Sequence, residues 1–175
     1  MRRHIALAIL IGLSAVASQA YARSNWSMVG AACTPDPTAI AANRYTVTGG
    51  SVTHKLPATG LIILYCPITK AWDDSHKPDY FAMTSQTTDS RLASITAQLI
   101  RVSRSMNGGD LTVVSCCIVG SDTGNHAVSN SRNFNHDFDF RNNYYYIRVD
   151  IDRKPDAPPD AFAKLFGVVV DRSGE

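Results

Sequence analysis

The sequence predicts an all-β fold: an antiparallel β-sandwich, jelly-roll-like, of about eight strands with one short helical turn near the start of the domain. Three observations predict it. Beyond residue 22, strand-like alternation of apolar and polar residues is far commoner than helical spacing. The alternating runs are rich in β-branched and aromatic residues, and Gly, Pro, Asn and Asp clusters separate them at short intervals. No crossover helices lie between the runs, which argues against a parallel α/β sheet.

The chain opens Met1-Arg2-Arg3-His4, continues through an apolar stretch from Ile5 to Val16, and reaches Ser18-Gln19-Ala20-Tyr21-Ala22. A basic start, a short apolar middle and an A-x-A ending form the layout of a secretory signal peptide. Residues 1–22 are therefore expected to be cleaved, and 23–175 to form a single β-sandwich domain. The apolar stretch is shorter than the roughly 20 residues that span a bilayer, and no other stretch is long enough. An exported protein, periplasmic or extracellular, without a transmembrane segment is expected. The chain carries 17 Lys+Arg against 15 Asp+Glu, and the two leader arginines account for the difference. A charge-balanced domain lacks the basic patch that offsets phosphate repulsion, so no nucleic-acid partner is expected.

The elements follow in order. Asp36 before Pro37 reads as an N-cap and first helical residue, giving a turn or two of helix that ends before Tyr45. Tyr45–Thr48 and Ser51–His54 flank Gly49-Gly50, the pattern of a hairpin turn or a bulge. Leu61–Cys66 is apolar on both alternating faces, as a central strand is, and Pro67 is expected to stop it. Trp72–Asp79 reads as a loop, and Tyr80–Thr84 as a short strand. Arg91–Ser103 fits helix and strand spacing alike; its Ile, Thr and Val content favours a strand. Leu111–Val119 is a strand, and 120–133 a long loop. Phe134–Phe140 alternates and is expected to form a hairpin with 143–152. In that last run Tyr145, Ile147, Val149 and Ile151 share the core face, while Tyr144, Tyr146, Arg148, Asp150 and Asp152 share the wet face. Leu165–Val170 closes the domain as a strand.

Four cysteines, Cys33, Cys66, Cys116 and Cys117, fall in an exported chain, where disulfides persist. Neighbours on a trans peptide have Cα atoms about 3.8 Å apart, below the roughly 4.4–6.8 Å that a disulfide prefers. Cys33–Cys66 is therefore the expected bond, with one of Cys116 and Cys117 buried as a thiol. Closing that loop stabilises by about 3–4 kcal/mol.

No motif specifies a reaction, and no catalytic residue, metal site or cofactor is assigned. His136, Asp137 and Asp139 lie close in sequence, and two carboxylates at i, i+2 on a strand approach the spacing of an acid–base pair; such acids more often line a solvated face. Asp73, Asp74 and Asp79 offer oxygen ligands for calcium in one loop, without EF-hand spacing. Asp150 and Asp152 are expected to pair with Arg148, Arg141 or Arg153 across neighbouring strands. Neither a nucleophile elbow nor a His-based zinc spacing occurs. The positive signal is aromatic. Tyr144 and Tyr146 project from a wet sheet face, and Trp72 sits in a loop, so these three are the candidate ligand-binding residues. The expectation is a non-catalytic binding or adhesion module for a carbohydrate or protein partner. The alternatives are a homo-oligomeric assembly subunit and a small secreted hydrolase.

Overall fold

The structure, a computed structural model, describes residues 25–72, 77–104, 109–124 and 126–173. The expected leader at 1–22 lies outside these residues, as do Asp73 and Asp74 of the calcium loop. The described residues form two antiparallel sheets packed face to face, with eleven strands where about eight were expected. They are β1 (Trp26–Val29), β2 (Thr34–Pro35), β3 (Tyr45–Thr48), β4 (Ser51–His54), β5 (Gly60–Ile68), β6 (Tyr80–Thr87), β7 (Ala93–Ser103), β8 (Leu111–Val119), β9 (Val128–Asn133), β10 (Asn143–Arg153) and β11 (Ala163–Asp171). One sheet has the order β2-β5-β10-β7-β8. The other has the order β3-β4-β11-β6-β9, with β1 also on β11. The chain passes repeatedly between the sheets, as in a jelly roll.

Pairing follows the hydrophobic pattern. β10 bonds to β7 along all of Asn143–Arg153 and to β5 from Tyr145 to Arg153. Its inner face, Tyr145, Ile147, Val149 and Ile151, is buried as the alternation requires. Ile62, Leu64 and Cys66 of β5 and Ile95, Ala97 and Leu99 of β7 extend that layer. Across from it lie Phe81 and Met83 of β6, and Leu165, Val168 and Val170 of β11. Leu165 and Val168 are three apart, an odd interval that would place them on opposite faces of a regular strand. The register shift between Leu165 and Gly167 turns both inward.

Local chemistry accounts for the ends. The helix α1 (Pro37–Ala41) forms where expected. The Asp36 carboxylate accepts from the backbone N–H of Thr38 at 3.0 Å and Ala39 at 3.2 Å, and from Ile63 of β5 at 3.1 Å. Gly49 and Gly50 both take positive φ, +55° and +81°, in the β3–β4 turn. Arg153, 3% exposed at the end of β10, donates all five of its N–H groups to backbone carbonyls: Pro57, Ala58, Ala157, Pro158 and Ala161. It thereby ties the β4–β5 loop to the β10–β11 loop, rather than pairing with Asp150 or Asp152.

Four expectations are corrected. Residues 128–133 form β9 on the edge of β6, since a strand of Ser, Asn and Arg needs no apolar face when its outer edge meets water. Phe134–Phe140 is not a hairpin strand; its aromatic residues fold over the end of the sandwich. β5 runs through Pro67 to Ile68, because β2 has already ended beside Tyr65 and leaves that edge of β5 unpaired. Cys116 and Cys117 pair with each other, and no described cysteine is a free thiol. Their peptide is cis, and their Cα atoms are 3.1 Å apart rather than at the trans spacing. Cys33–Cys66 forms as expected, with Cα atoms 4.4 Å apart.

Candidate functional site: a tyrosine groove on the five-stranded sheet

The second sheet covers the inner face of β10, and the outer face stays open. Tyr144 is 57% exposed, and Tyr146 and Tyr65 are half-buried. The register explains why they meet. Tyr146 lies directly opposite Pro67 of β5 and Ile100 of β7, and Arg148 opposite Tyr65. Diagonal neighbours on one face are within reach of aromatic rings, and the Tyr65 and Tyr146 rings meet edge to face at 5.6 Å. Thr34 pairs with Tyr65 and so stands on the same face. Thr34, Tyr65, Pro67, Tyr144 and Tyr146, together with Lys70, Arg104 and Phe140, line a groove of about 730 Å³, within the range typical of ligand sites.

At one end the Arg104 guanidinium sits over the Tyr144 ring, 4.2 Å from its centre. Further along β10, Arg148 bonds Asp150 at 2.8 Å, within one strand rather than across neighbouring strands as expected. Burial pushes the Tyr146 hydroxyl above its ordinary range, and the neighbouring Tyr65 adds to this while Arg148 opposes it. The phenol therefore stays neutral and can both donate and accept hydrogen bonds.

Trp72 does not join this face. It is buried, 7% exposed, with its ring edge-on to Phe138 at 5.0 Å and Phe140 at 5.7 Å. A large apolar ring at the end of a sandwich gains more from that cluster than from solvent. Its part in the groove is indirect, as a support behind Phe140. Tyr145, Phe134 and Phe138 complete the cluster.

The acid–base candidates are dispersed. His136 Nε2 lies 3.1 Å from the Tyr145 hydroxyl, which also accepts from the Asp139 N–H at 3.0 Å. Burial, and then Arg101, hold His136 below the usual imidazole range. The Asp139 carboxylate caps the turn at Arg141 and Asn142, and Asp137 bonds Lys77 at the surface. Asp79 accepts from Ser173. No cluster of three or more His, Cys, Asp or Glu suited to a metal occurs among the described residues, and no described helix is long and apolar enough to cross a membrane.

Tyr65, Arg104, Thr34, Pro67 and Phe140 are groove residues that sequence reasoning missed. Leu61–Cys66 is apolar on both faces, so alternation could not single out Tyr65. Arg104 follows β7 and reaches the groove only through the β7–β10 pairing. Tyr144 and Tyr146 were legible because their strand alternates cleanly.

No protein-family model matches this chain, and no curated protein matches its sequence. Three solved structures are similar to it. A xylan-binding module, CBM15, aligns over 75% of this chain and 83% of its own, with 14% identity and a TM-score of 0.40. The C-terminal family 22 carbohydrate binding module of Clostridium thermocellum Xyn10B aligns over 89% and 90%, with 9% identity and a TM-score of 0.39. A family two carbohydrate esterase from Cellvibrio japonicus aligns over 86% of this chain at 10% identity and a TM-score of 0.40, and the chain spans 34% of that enzyme. None of the three assigns this chain to a family.

Proposed function

We propose that the protein is an exported, non-catalytic module that binds a carbohydrate chain along the outer face of β5 and β10. The open tyrosine face carries this reading: Tyr144 and Tyr146, with Tyr65 edge-on to Tyr146, on a sheet whose other face is the core. Sugar rings present flat C–H faces that stack on aromatic rings and hydroxyl edges that bond to phenol, guanidinium and carboxylate groups. Residues i and i+2 on a strand lie about 7 Å apart, so the two β10 tyrosines reach separate parts of one extended ligand. The dispersal of His136, Asp137 and Asp139 favours binding over catalysis.

Native affinity electrophoresis tests the proposal, with gels containing xyloglucan, mixed-linkage β-glucan, galactomannan, glucuronoxylan, alginate or polygalacturonate. At least one polysaccharide is expected to retard the protein, and Tyr144→Ala to weaken that retardation about tenfold or more, the scale of an interface anchor. Tyr144 is exposed, so the variant folds normally. Passage through every gel, or a Tyr144→Ala variant that binds like the parent, overturns the proposal. Discrete oligomers in light scattering without any glycan binding would favour assembly instead, through the exposed Leu111, Val113 and Val119 of the edge strand β8.

A further inference from the structure

Resting on that glycan-binding reading, we infer that the ligand is an acidic carbohydrate, a chain bearing uronic-acid carboxylates. The place of Arg104 in the groove carries the inference. Among the described residues, the charged members of the lining are Arg104 and Lys70, both basic, and none is a carboxylate. The remaining lining side chains are aromatic, aliphatic, hydroxyl or amide. Further along the outer face of β10, Asp150 is paired with Arg148.

Arg104 is the more informative cation. It is exposed, at the end of β7, and its guanidinium rests on the Tyr144 ring. A guanidinium held there brings its five N–H donors to the groove. A planar fork of donors fits a carboxylate through two parallel bonds, and stacking on an aromatic ring lowers the entropy lost in forming them. A neutral chain needs only rings and hydroxyl partners. A guanidinium held against an aromatic ring, in a groove whose described lining holds no carboxylate, fits a sugar that carries its charge beside its apolar face. Asn143, Thr34 and Thr69 supply partners for the hydroxyl groups.

The experiment compares each acidic polymer with its own carboxyl-reduced form, so that chain length and linkage are held constant. The acidic polymers are polygalacturonate, alginate and glucuronoxylan. Dissociation constants are taken by calorimetry for the parent chain, Arg104→Gln and, as a control on the opposite sheet, Arg132→Gln. The parent is expected to bind one acidic polymer at least about tenfold more tightly than its reduced form, the scale of one charge-assisted contact. Added salt weakens that preference. Arg104→Gln abolishes it, and Arg132→Gln leaves both affinities unchanged. Equal affinity for acidic and reduced polymers, or an unaltered preference in Arg104→Gln, overturns the inference and leaves the glycan-binding proposal standing. Failure to bind any acidic, reduced or neutral chain overturns both.

Discussion

Arg153→Met removes a fastening that is concentrated in one side chain. The guanidinium is 3% exposed and makes five bonds to backbone carbonyls, at 2.8–3.3 Å. Methionine fills much of the stem volume and supplies no donor. A hydrogen bond with one charged partner contributes about 1.5–3 kcal/mol, and an orphaned buried carbonyl costs a similar amount. Simple addition overstates the loss, because the Pro57–Ala58 and Ala157–Pro158 carbonyls lie on loops that can open and regain water. The expected cost is about 3–5 kcal/mol, a large part of the roughly 5–15 kcal/mol of a typical domain. Equilibrium urea unfolding reads it as a lower midpoint at unchanged slope. Hydrogen exchange should show faster exchange in 55–60 and 154–162, with the centre of β10 still protected. Arg153→Lys, with one compact donor group, should recover only part of the loss. A cost below about 1 kcal/mol for Arg153→Met, or recovery to the parent value in Arg153→Lys, would refute the idea that the five-carbonyl fork holds these loops.

Two further perturbations follow from other parts of the fold. Replacing both Cys33 and Cys66 with alanine opens a loop with a sequence separation of 33 and should cost about 3–4 kcal/mol in urea unfolding; because the bond anchors β2 beside Tyr65, glycan retardation should weaken as well, and an unchanged midpoint contradicts this. Lowering the pH should destabilise the protein before its carboxylates titrate. Burial holds the His54 imidazole below its usual range, opposed by its bond to the Gly60 carbonyl and reinforced by Arg153, and burial holds His136 low too. With folded values depressed, the unfolded chain binds more protons below the ordinary imidazole value of about 6.5. Stability is thus fully present above that pH and falls as pH drops below it, until the folded imidazoles protonate. The melting temperature should decline from pH 7 to 5.5, less steeply in His54→Gln, and a flat or rising profile counts against the account.

The two-sheet architecture was legible because it depends on alternation, which burial enforces residue by residue. β10 read correctly for that reason, β7 because its Ile, Thr and Val content favours a strand where spacing alone is ambiguous, and α1 because a capping aspartate precedes a proline. The features that escaped depend on contacts distant in sequence. β9 has no apolar face and exists because β6 offers it an open edge. Phe134, Phe138 and Phe140 alternate as a strand would, yet they gain more by closing the end of the core around Tyr145 than by pairing. Trp72 follows them inward. Half of the candidate site was visible for the same reason as the fold: Tyr144 and Tyr146 are the exposed members of an alternating run. Tyr65 and Arg104 join them through strand register, which one strand's composition does not encode.

The parity of β10 has a consequence for how such a surface can change. Three consecutive tyrosines divide their duties by odd and even position, with Tyr145 inside and its two neighbours outside. Bonded on both flanks, the strand cannot glide by one residue without driving Tyr144 and Tyr146 into the interior and expelling Ile147 and Val149. Substitutions at even positions can therefore change the groove lining while the interior stays as it is, and those at odd positions cannot. Surface chemistry and folding are written on alternate letters of one strand, free to diverge separately.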